Sequence, residues 1–545
     1  MSMRIPTAVW PLLVIGLVTS ITSLAIQNPV RDRERPPQPA LAADLRKNSV
    51  HALDGQLERL WTAHQLVPAP AANELTVLRR LSLALFGTAP SLEEIRRFEA
   101  DQGPDRLERW TAAMLDDPRF ADYFAERLAR AFVGVEAGQF ILYRRDRFTH
   151  WLSEQLRTGR RYDDIVRELI ASDGVWTDRA QVNFITAAYA NDELDENALA
   201  GRTVRAFLGQ RLDCAQCHDH PFSHWKQHDF EGLAACFGQT RLSLVGIHDD
   251  PGRTYSIEDR MTLEPRAVSP GVPFGPEWFP TEGLPRQRLA AWVTHPENRR
   301  FERAIANRVW ALMFGRPFLT DRAVDDLPDP DDAADSVEAR ILDELGRDFR
   351  AHDCDLRRLV QVIAASRAFR LDSRHLELPD DAVDDAECRW AIFPLVRLRP
   401  EQVIGSMLQA SSIRTVDQNS HLVTRTLRFF RERDFVEDFG DPGENELSDR
   451  TGTIPQALLR MNGELSKELT DANPLNSTSR IAGAAATPAE CVDVCFLVCL
   501  SRRATPAEHA ELDALIPKRP GQPRHVAVAD LMWALFNAPE FSWNH

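Results

Sequence analysis

The sequence predicts a mainly α-helical protein with two helical domains joined by a Pro/Gly-rich loop or small β element. Three observations carry that expectation. Apolar residues recur at helical spacing through most of the chain, as in Leu78–Phe86 and Phe301–Phe314. Helix-start signals precede several of these runs: Ser91 with Glu94 and Thr505 with Glu508 read as capping boxes, and Asp117-Pro118 as a cap followed by a first-turn proline. Only about residues 242–283 depart from the pattern, being rich in Pro and Gly with short β-like pieces, LSLVGI and RTYSI.

In chain order, Arg4 precedes an apolar run from Val9 to Ile26, and Ser23-Leu-Ala25 offers a small-x-small cleavage site. Residues 1–26 are therefore expected to be a signal peptide or, the run being close to the minimum spanning length, an uncleaved N-terminal membrane anchor. Both imply export, to the periplasm or the cell surface. Residues 27–73 form a tether and linker that includes the charged, proline-rich RDRERPPQP. The first helical domain, residues 74–240, takes helices near Leu78–Phe86, Leu107–Leu115, Phe120–Val133, Arg144–Leu156, Tyr162–Ser172 and Ala198–Leu208, with a short closing helix at Phe230–Phe237. After the connecting region 241–284, the second domain, 285–545, resumes with Phe301–Phe314, Val337–Phe349 and Leu356–Ala368. It continues with Pro400–Ser411, Gln456–Leu469, Val492–Leu500, Pro506–Leu515 and Val526–Phe536. Asp380–Glu387 reads as an acidic linker. The acidic stretch from Asp325 to Asp332 lacks the ordered spacing of an EF-hand and reads as a solvated loop. An internal echo links LALFGTAPSLEEIRRF with LVCLSRRATPAEHAEL, each leading to a helix that closes in D/N-x-Pro-x-Phe. A duplicated helical hairpin would make the two chain ends pack as similar units.

Composition is that of an ordinary globular protein, 43% hydrophobic and 27% charged, and the formal net charge of −16 argues against a general nucleic-acid binder. The eight cysteines do not resemble a disulfide framework. Cys491, Cys495 and Cys499 recur every fourth residue and read as one buried side of an apolar helix.

Chemistry concentrates in Arg211-Leu-Asp-Cys214-Ala-Gln-Cys217-His218-Asp219-His220-Pro221-Phe222. The C-x-x-C-H within it is the pattern of covalent c-type haem attachment. Two thiols three residues apart on a helical turn can reach the two vinyl groups of one porphyrin, and the next residue, His218, can offer a nitrogen to the iron. The same stretch is rich in thiol and imidazole, and Cys214, Cys217, His218 and His220 form an alternative zinc or iron ligand set. A hydrolytic site of that kind would place Asp219 or Asp229 as base.

The string from Val204-Arg-Ala-Phe-Leu-Gly through Cys214-Ala-Gln-Cys217-His218-Asp219-His220-Pro221-Phe222 to Trp225 and Asp229-Phe230 resembles the planctomycete cytochrome-like domain DUF1549 (PSCyt2). The upstream Leu78-Arg-Arg-Leu81 and Asp117-Pro-Arg-Phe-Ala121 are similar too. The second half resembles its habitual partner, DUF1553 (PSD1), at Leu289-Ala-Ala-Trp292, Asn307-Arg308-Val-Trp310, Pro455-Gln-Ala-Leu458, Met461-Asn462 and Leu500-Ser-Arg-Arg-Ala-Thr505-Pro506. The resemblance implies an exported protein encoded beside sulfatase-like partners, without a defined activity. His224 stands where that family commonly has Lys, and His228 is particular to this chain.

Three functions follow as expectations. The first is a single-haem c-type protein serving electron transfer, with Cys214 and Cys217 in thioethers and His218 on the iron. The sixth ligand would be sought among Met261, His224, His228 and His248. Arg202, Arg205 and Arg211 would neutralise propionates, and Phe207, Phe222 and Trp225 would exclude water. Its partner would be a redox protein. The second is the non-haem metal site. The third is a helical interaction scaffold acting with an exported sulfatase-like protein. No nucleotide loop, nucleophile elbow or H-E-x-x-H is present, which favours binding over catalysis.

Overall fold

The computed structural model describes residues 46–545 apart from 137–142, 191–192, 222–223, 259–263, 331–335, 418–419, 421, 442, 444–446, 448–451, 472–475 and 519–523. The N-terminal apolar run and its arginine-rich tether lie outside the described residues, as do Phe222 and Met261. Among the described residues no helix is long and apolar enough to cross a membrane.

The fold is mainly helical. The first half holds α1 (His51–Ala63), α2 (Glu74–Phe86), α3 (Leu92–Ala100), α4 (Arg106–Asp116), α5 (Pro118–Val133), α6 (Arg145–Thr158), α7 (Tyr162–Ala171), α8 (Glu196–Leu208) and α9 (Gln227–Ala235). Their boundaries follow the local chemistry. Asn73 accepts from the Leu75 amide at the start of α2, Ser91 and Glu94 close a reciprocal capping box on α3, and Asp117 caps α5 ahead of Pro118. The connecting region carries two antiparallel hairpins, β3 (Thr240–Ser243) with β4 (Gly246–Asp249) and β5 (Ser256–Glu258) with β6 (Pro265–Ala267), after the short pair β1 (Tyr189–Ala190) and β2 (Glu193–Leu194).

The second half opens with α10 (Pro285–Val293) and α11 (Arg299–Phe314), followed by α12 (Val337–Ala351) and α13 (Leu356–Ala365). Every residue of α11 from Arg300 to Phe314 is buried. It is covered by α12 and α13 of its own half and by α2 and α8 of the first half. Hydrophobic side chains from Val50 to Phe393 therefore share one core that crosses the connecting region, with Trp292, Trp310 and Trp390 fully enclosed in it. A second core gathers Leu83 with residues from Leu398 to Phe541. It is built by α14 (Pro400–Ala410), α15 (Leu422–Phe439), α16 (Ile454–Asn462), α17 (Glu464–Thr470), α18 (Ser477–Ala484), α19 (Pro488–Leu500), α20 (Pro506–Leu512) and α21 (Arg524–Asn537). A last pair, β7 (Val396–Arg397) with β8 (Trp543–Asn544), ties the chain end to it.

Several segments differ from expectation, among them α1, a helix with Leu53, Leu57, Leu60 and Trp61 buried inside the stretch read as tether and linker. The helix expected over Gln456–Leu469 is two helices broken at Gly463, whose extended backbone ends α16 and starts α17. The acidic stretch expected as a linker is helical over Asp380–Cys388, where Asp380 and Asp381 in the first turn suit the positive end of the helix dipole. Cys491, Cys495 and Cys499 are buried along α19 as expected, and all eight cysteines are free thiols. The echo between the chain ends extends to local devices. Both α2 and α19 end on a left-handed residue, Gly87 and Ser501, and each is followed by a complete capping box.

Buried arginines fasten these parts. Arg79 and Arg80 of α2 are fully buried. Arg79 donates to the Cys499 carbonyl at 3.1 Å, and Arg80 donates to those of Phe369 and Leu371 at 2.9 and 2.7 Å. The Cys499 and Phe369 carbonyls belong to the last turns of helices, where no amide is available to them. Arg286 of α10 is enclosed beside Asp249 at 2.7 Å and also donates to the Ser172 carbonyl at 2.7 Å. Arg286→Met would leave Asp249 buried and unpaired, and a loss of about 3–5 kcal/mol is expected in the denaturant midpoint. Arg286→Met with Asp249→Leu should recover much of it; a double variant no better than the single one would show that the pair is not the source. Burial alone would raise the Glu401 carboxyl, yet Arg127 and Arg399 outweigh it and hold it down at about 2. Because its folded value is depressed, its stabilising contribution is full above about pH 4.5 and is lost as pH falls toward 2. Glu401→Gln should flatten that stretch of the stability–pH curve measured by urea denaturation.

Candidate functional site

The loop between α8 and α9 carries the C-x-x-C-H. Asp195 caps α8 by accepting from Ala198, and α8 closes at Gly209, whose φ is 61°. A side chain there would be strained in its backbone and would crowd Ala304 of α11 and Leu327, each 3.2 Å from the position of a Cβ. The chain then turns through Gln210 and Arg211 into one 3-10 turn, Asp213–Gln216, rather than the helical turn expected from the spacing. Leu212 and Ala215 point into the core and are fully enclosed. That alternation leaves Cys214, Cys217 and His218 on the solvent side, all exposed.

The second half holds this loop from across the molecule. The Leu327 amide donates to the Gly209 carbonyl at 2.8 Å, and the Gln210 side-chain amide donates to the Leu327 carbonyl at 3.0 Å. Arg211 donates to Asp325 at 2.7 Å, and Arg205 donates to Asp213 at 2.9 Å with Asp325 at 3.8 Å. Asp329 of the same segment pairs with Arg300 and lies 3.8 Å from His224. The stretch is thus a clasp in which Asp325 and Asp329 are committed to basic side chains. Asn307 sets its path, donating to the Val324 carbonyl and accepting from the Phe318 amide, both at 2.9 Å.

On its other side the loop is held by the start of α9. Asp219 accepts from the Gln227 amide and from the Lys226 ammonium, each at 3.0 Å, and these two groups hold its carboxyl below the usual range. Asp229 accepts from the Lys226 amide at 2.8 Å. Both carboxylates considered as bases therefore fasten the loop. His220 is half-buried and its backbone amide donates to the Trp225 carbonyl at 2.8 Å. Trp225 is buried, with His224 tilted across it at 4.1 Å and Phe274 at 5.9 Å.

His218 has one informative bond. Its Nδ1 lies 2.7 Å from the Asp219 carbonyl oxygen. A carbonyl can only accept, so Nδ1 carries the proton and Nε2 presents its lone pair. Among the described residues, no group of three or more His, Cys, Asp or Glu stands close enough to hold a metal ion. Cys214, Cys217, His218 and His220 are neighbours in the loop without converging on one point.

The other residues considered for this site are spread out. Phe207 is fully enclosed in the core against Phe132 and Phe184. His228 is exposed beside Asp229 at 3.5 Å, and His248 lies in β4 with its Nδ1 3.2 Å from the Gly246 carbonyl. A cleft of about 550 Å³ opens nearby between the short hairpins, lined by Trp176, Tyr189, Thr240 and Leu242, but none of the motif residues lines it.

These features agree with the sequence comparisons. Residues 52–242 match PSCyt2, a protein family of unknown function (DUF1549), and residues 285–516 match PSD1, a protein family of unknown function (DUF1553). The chain is a DUF1549–DUF1553 protein. The loop and its cysteines fall in the DUF1549 region, whereas Asn307, Asp325 and Leu327 of the clasp fall in the DUF1553 region. No curated protein and no solved structure matches the chain.

The clasp is testable by itself. Asp325→Ala should quicken amide hydrogen exchange over residues 209–217 by roughly fivefold, since a half-exposed ion pair contributes up to about 1 kcal/mol. Unchanged exchange there would mean that the DUF1553 segment does not hold the DUF1549 loop.

Proposed function

We propose that this DUF1549–DUF1553 protein binds a single c-type haem at Cys214, Cys217 and His218 and serves one-electron transfer outside the cytoplasm. The reading rests on one observation: two accessible, unpaired thiols three residues apart precede an imidazole whose Nδ1 is held by a backbone carbonyl and whose Nε2 meets no partner among the described residues. A ligating histidine is commonly oriented by such a bond on its other nitrogen. The non-haem alternative needs several ligands gathered at one point, which the loop does not offer among the described residues. Haem attachment asks only for the thiol spacing and the following imidazole.

The fit is to an exposed group. Phe207 lies in the core, and Arg205 and Arg211 are already paired with Asp213 and Asp325, so none of the three is free to enclose a porphyrin or take its propionates. When bound, the haem would supply a one-electron couple, and solvent access would set its potential lower than in an enclosed cytochrome. The protein's own part is to present the two thiols on a rigid surface turn, to fix the His218 tautomer through Asp219, and to leave the face open to a redox partner. The N-terminal run serves here as export signal or membrane tether.

The test is a pyridine haemochrome spectrum with metal analysis on protein exported by a host that matures c-type cytochromes. A c-type α-band is expected, lost in Cys214→Ser and Cys217→Ser, both of which should fold normally because the thiols are exposed. Colourless protein with one equivalent of zinc or iron would replace the haem reading by the metal site. Protein with neither would leave the helical scaffold beside a sulfatase-like partner.

A further inference from the structure

Helix α16 is set into the fold against its own amphipathic pattern. Ile454, Leu458 and Met461, spaced as one apolar stripe, are exposed, while the one side chain of this helix that is buried is Arg460. A surface helix ordinarily turns such a stripe inward. Where a local rule is broken in this way, a function is the first explanation to seek.

Arg460 is 8% exposed, and its Nε and Nη1 are enclosed with no hydrogen-bond partner. The charge that acts on it is a second guanidinium, Arg397 of β7. Burial first, and then repulsion from Arg397, pushes Arg460 below the ordinary arginine range, and burial alone does the same to Arg397. Neither meets a carboxylate among the described residues. Gly452 closes one side, since a Cβ there would overlap the Arg397 guanidinium.

The like charge acting on it sets Arg460 apart. Acidic residues outnumber Lys and Arg by 81 to 65, and several other buried arginines are met by carboxylates, Arg127 by Glu401, Arg286 by Asp249 and Arg357 by Asp116, or by carbonyls, as Arg80 by Phe369 and Leu371 and Arg524 by Thr487. A buried guanidinium without a partner is destabilising, and a like charge acting on it makes it more so. Among the described residues no acidic side chain balances the pair. Guanidinium forks are matched in shape to carboxylate, phosphate and sulfate oxygens.

We propose that Arg397 and Arg460, walled by Gly452, form a binding site for the oxyanion group of a ligand. The site lies in the DUF1553 region and is independent of the haem reading.

The experiment uses the full chain with inorganic phosphate and, separately, acetate, with chloride added to keep ionic strength constant. Phosphate or acetate should raise the melting temperature saturably, by about 1–3 °C, and give a binding isotherm by calorimetry. Arg397→Gln and Arg460→Gln should each weaken binding at least about tenfold, as expected for losing a charged hydrogen-bond donor. Gly452→Ala displaces Arg397 without removing a charge and should weaken binding too, which keeps the test available if Arg460→Gln does not fold. Arg241→Gln, on the exposed edge of β3, should bind as the wild type does. Preference for phosphate would assign a tetrahedral oxyanion, and equal acetate binding a carboxylate. No response beyond chloride, or the same response in all variants, would overturn the proposal.

Discussion

The geometry of the candidate site depends on the complete burial of α11. A helix enclosed on every side has to be covered by both halves of the chain, and its polar side chains have to find partners inside. Asn307 does so by joining the Val324 carbonyl to the Phe318 amide. That bridge folds the segment after α11 back toward the first half, where Asp325 and Leu327 meet Arg211, Gln210 and Gly209. Ala304 of the same helix is the wall that excludes a side chain from Gly209. The C-x-x-C-H loop is thus positioned by a helix that begins more than eighty residues after it. The two family regions are one object at this point.

Much of the helical framework was legible because its signals are local. Ser91 with Glu94, Thr505 with Glu508 and Asp117-Pro118 mark helix starts by hydrogen bonds within one turn, and the structure has each of them. The helical Asp380–Cys388 was not legible, because acidic residues suit a solvated linker and a helix N-terminus equally well. The break at Gly463 was missed for the opposite reason, since apolar periodicity continues through it. The clasp could not be read at all. Asp325 and Arg211 are 114 positions apart, and nothing in either neighbourhood names the other.

The cysteine motif shows where sequence reasoning carries too far. Its spacing suggested a helical turn with an apolar shell, and the chain has instead one 3-10 turn at the surface, with Phe207 facing the other way into the core. Leu212 and Ala215 decide this. Because they are the residues that fill the core, the intervening positions must face water. An open site would exchange electrons readily with a partner and would hold little control over potential. On the proposed haem reading, that exposure would suit a relay better than a site that must bind and activate a substrate.

Arginine is the residue through which this acidic protein manages its interior. Its guanidinium reaches carbonyls and carboxylates at once, and Arg79, Arg80, Arg286 and Arg357 use that reach to join segments that are distant in sequence. A structural arginine of this kind is recognised by the carbonyls and carboxylates that its guanidinium reaches. Arg303 of α11 shows the intermediate case, enclosed with Asp343 at 3.6 Å, close enough for attraction though not for a hydrogen bond. Arg460 differs from all of these. The charge that acts on it repels it, and the helix that carries it leaves its apolar stripe exposed. An arrangement that costs both packing and electrostatics persists when something outside the chain offsets it, and an anion is the simplest group that offsets both charges together.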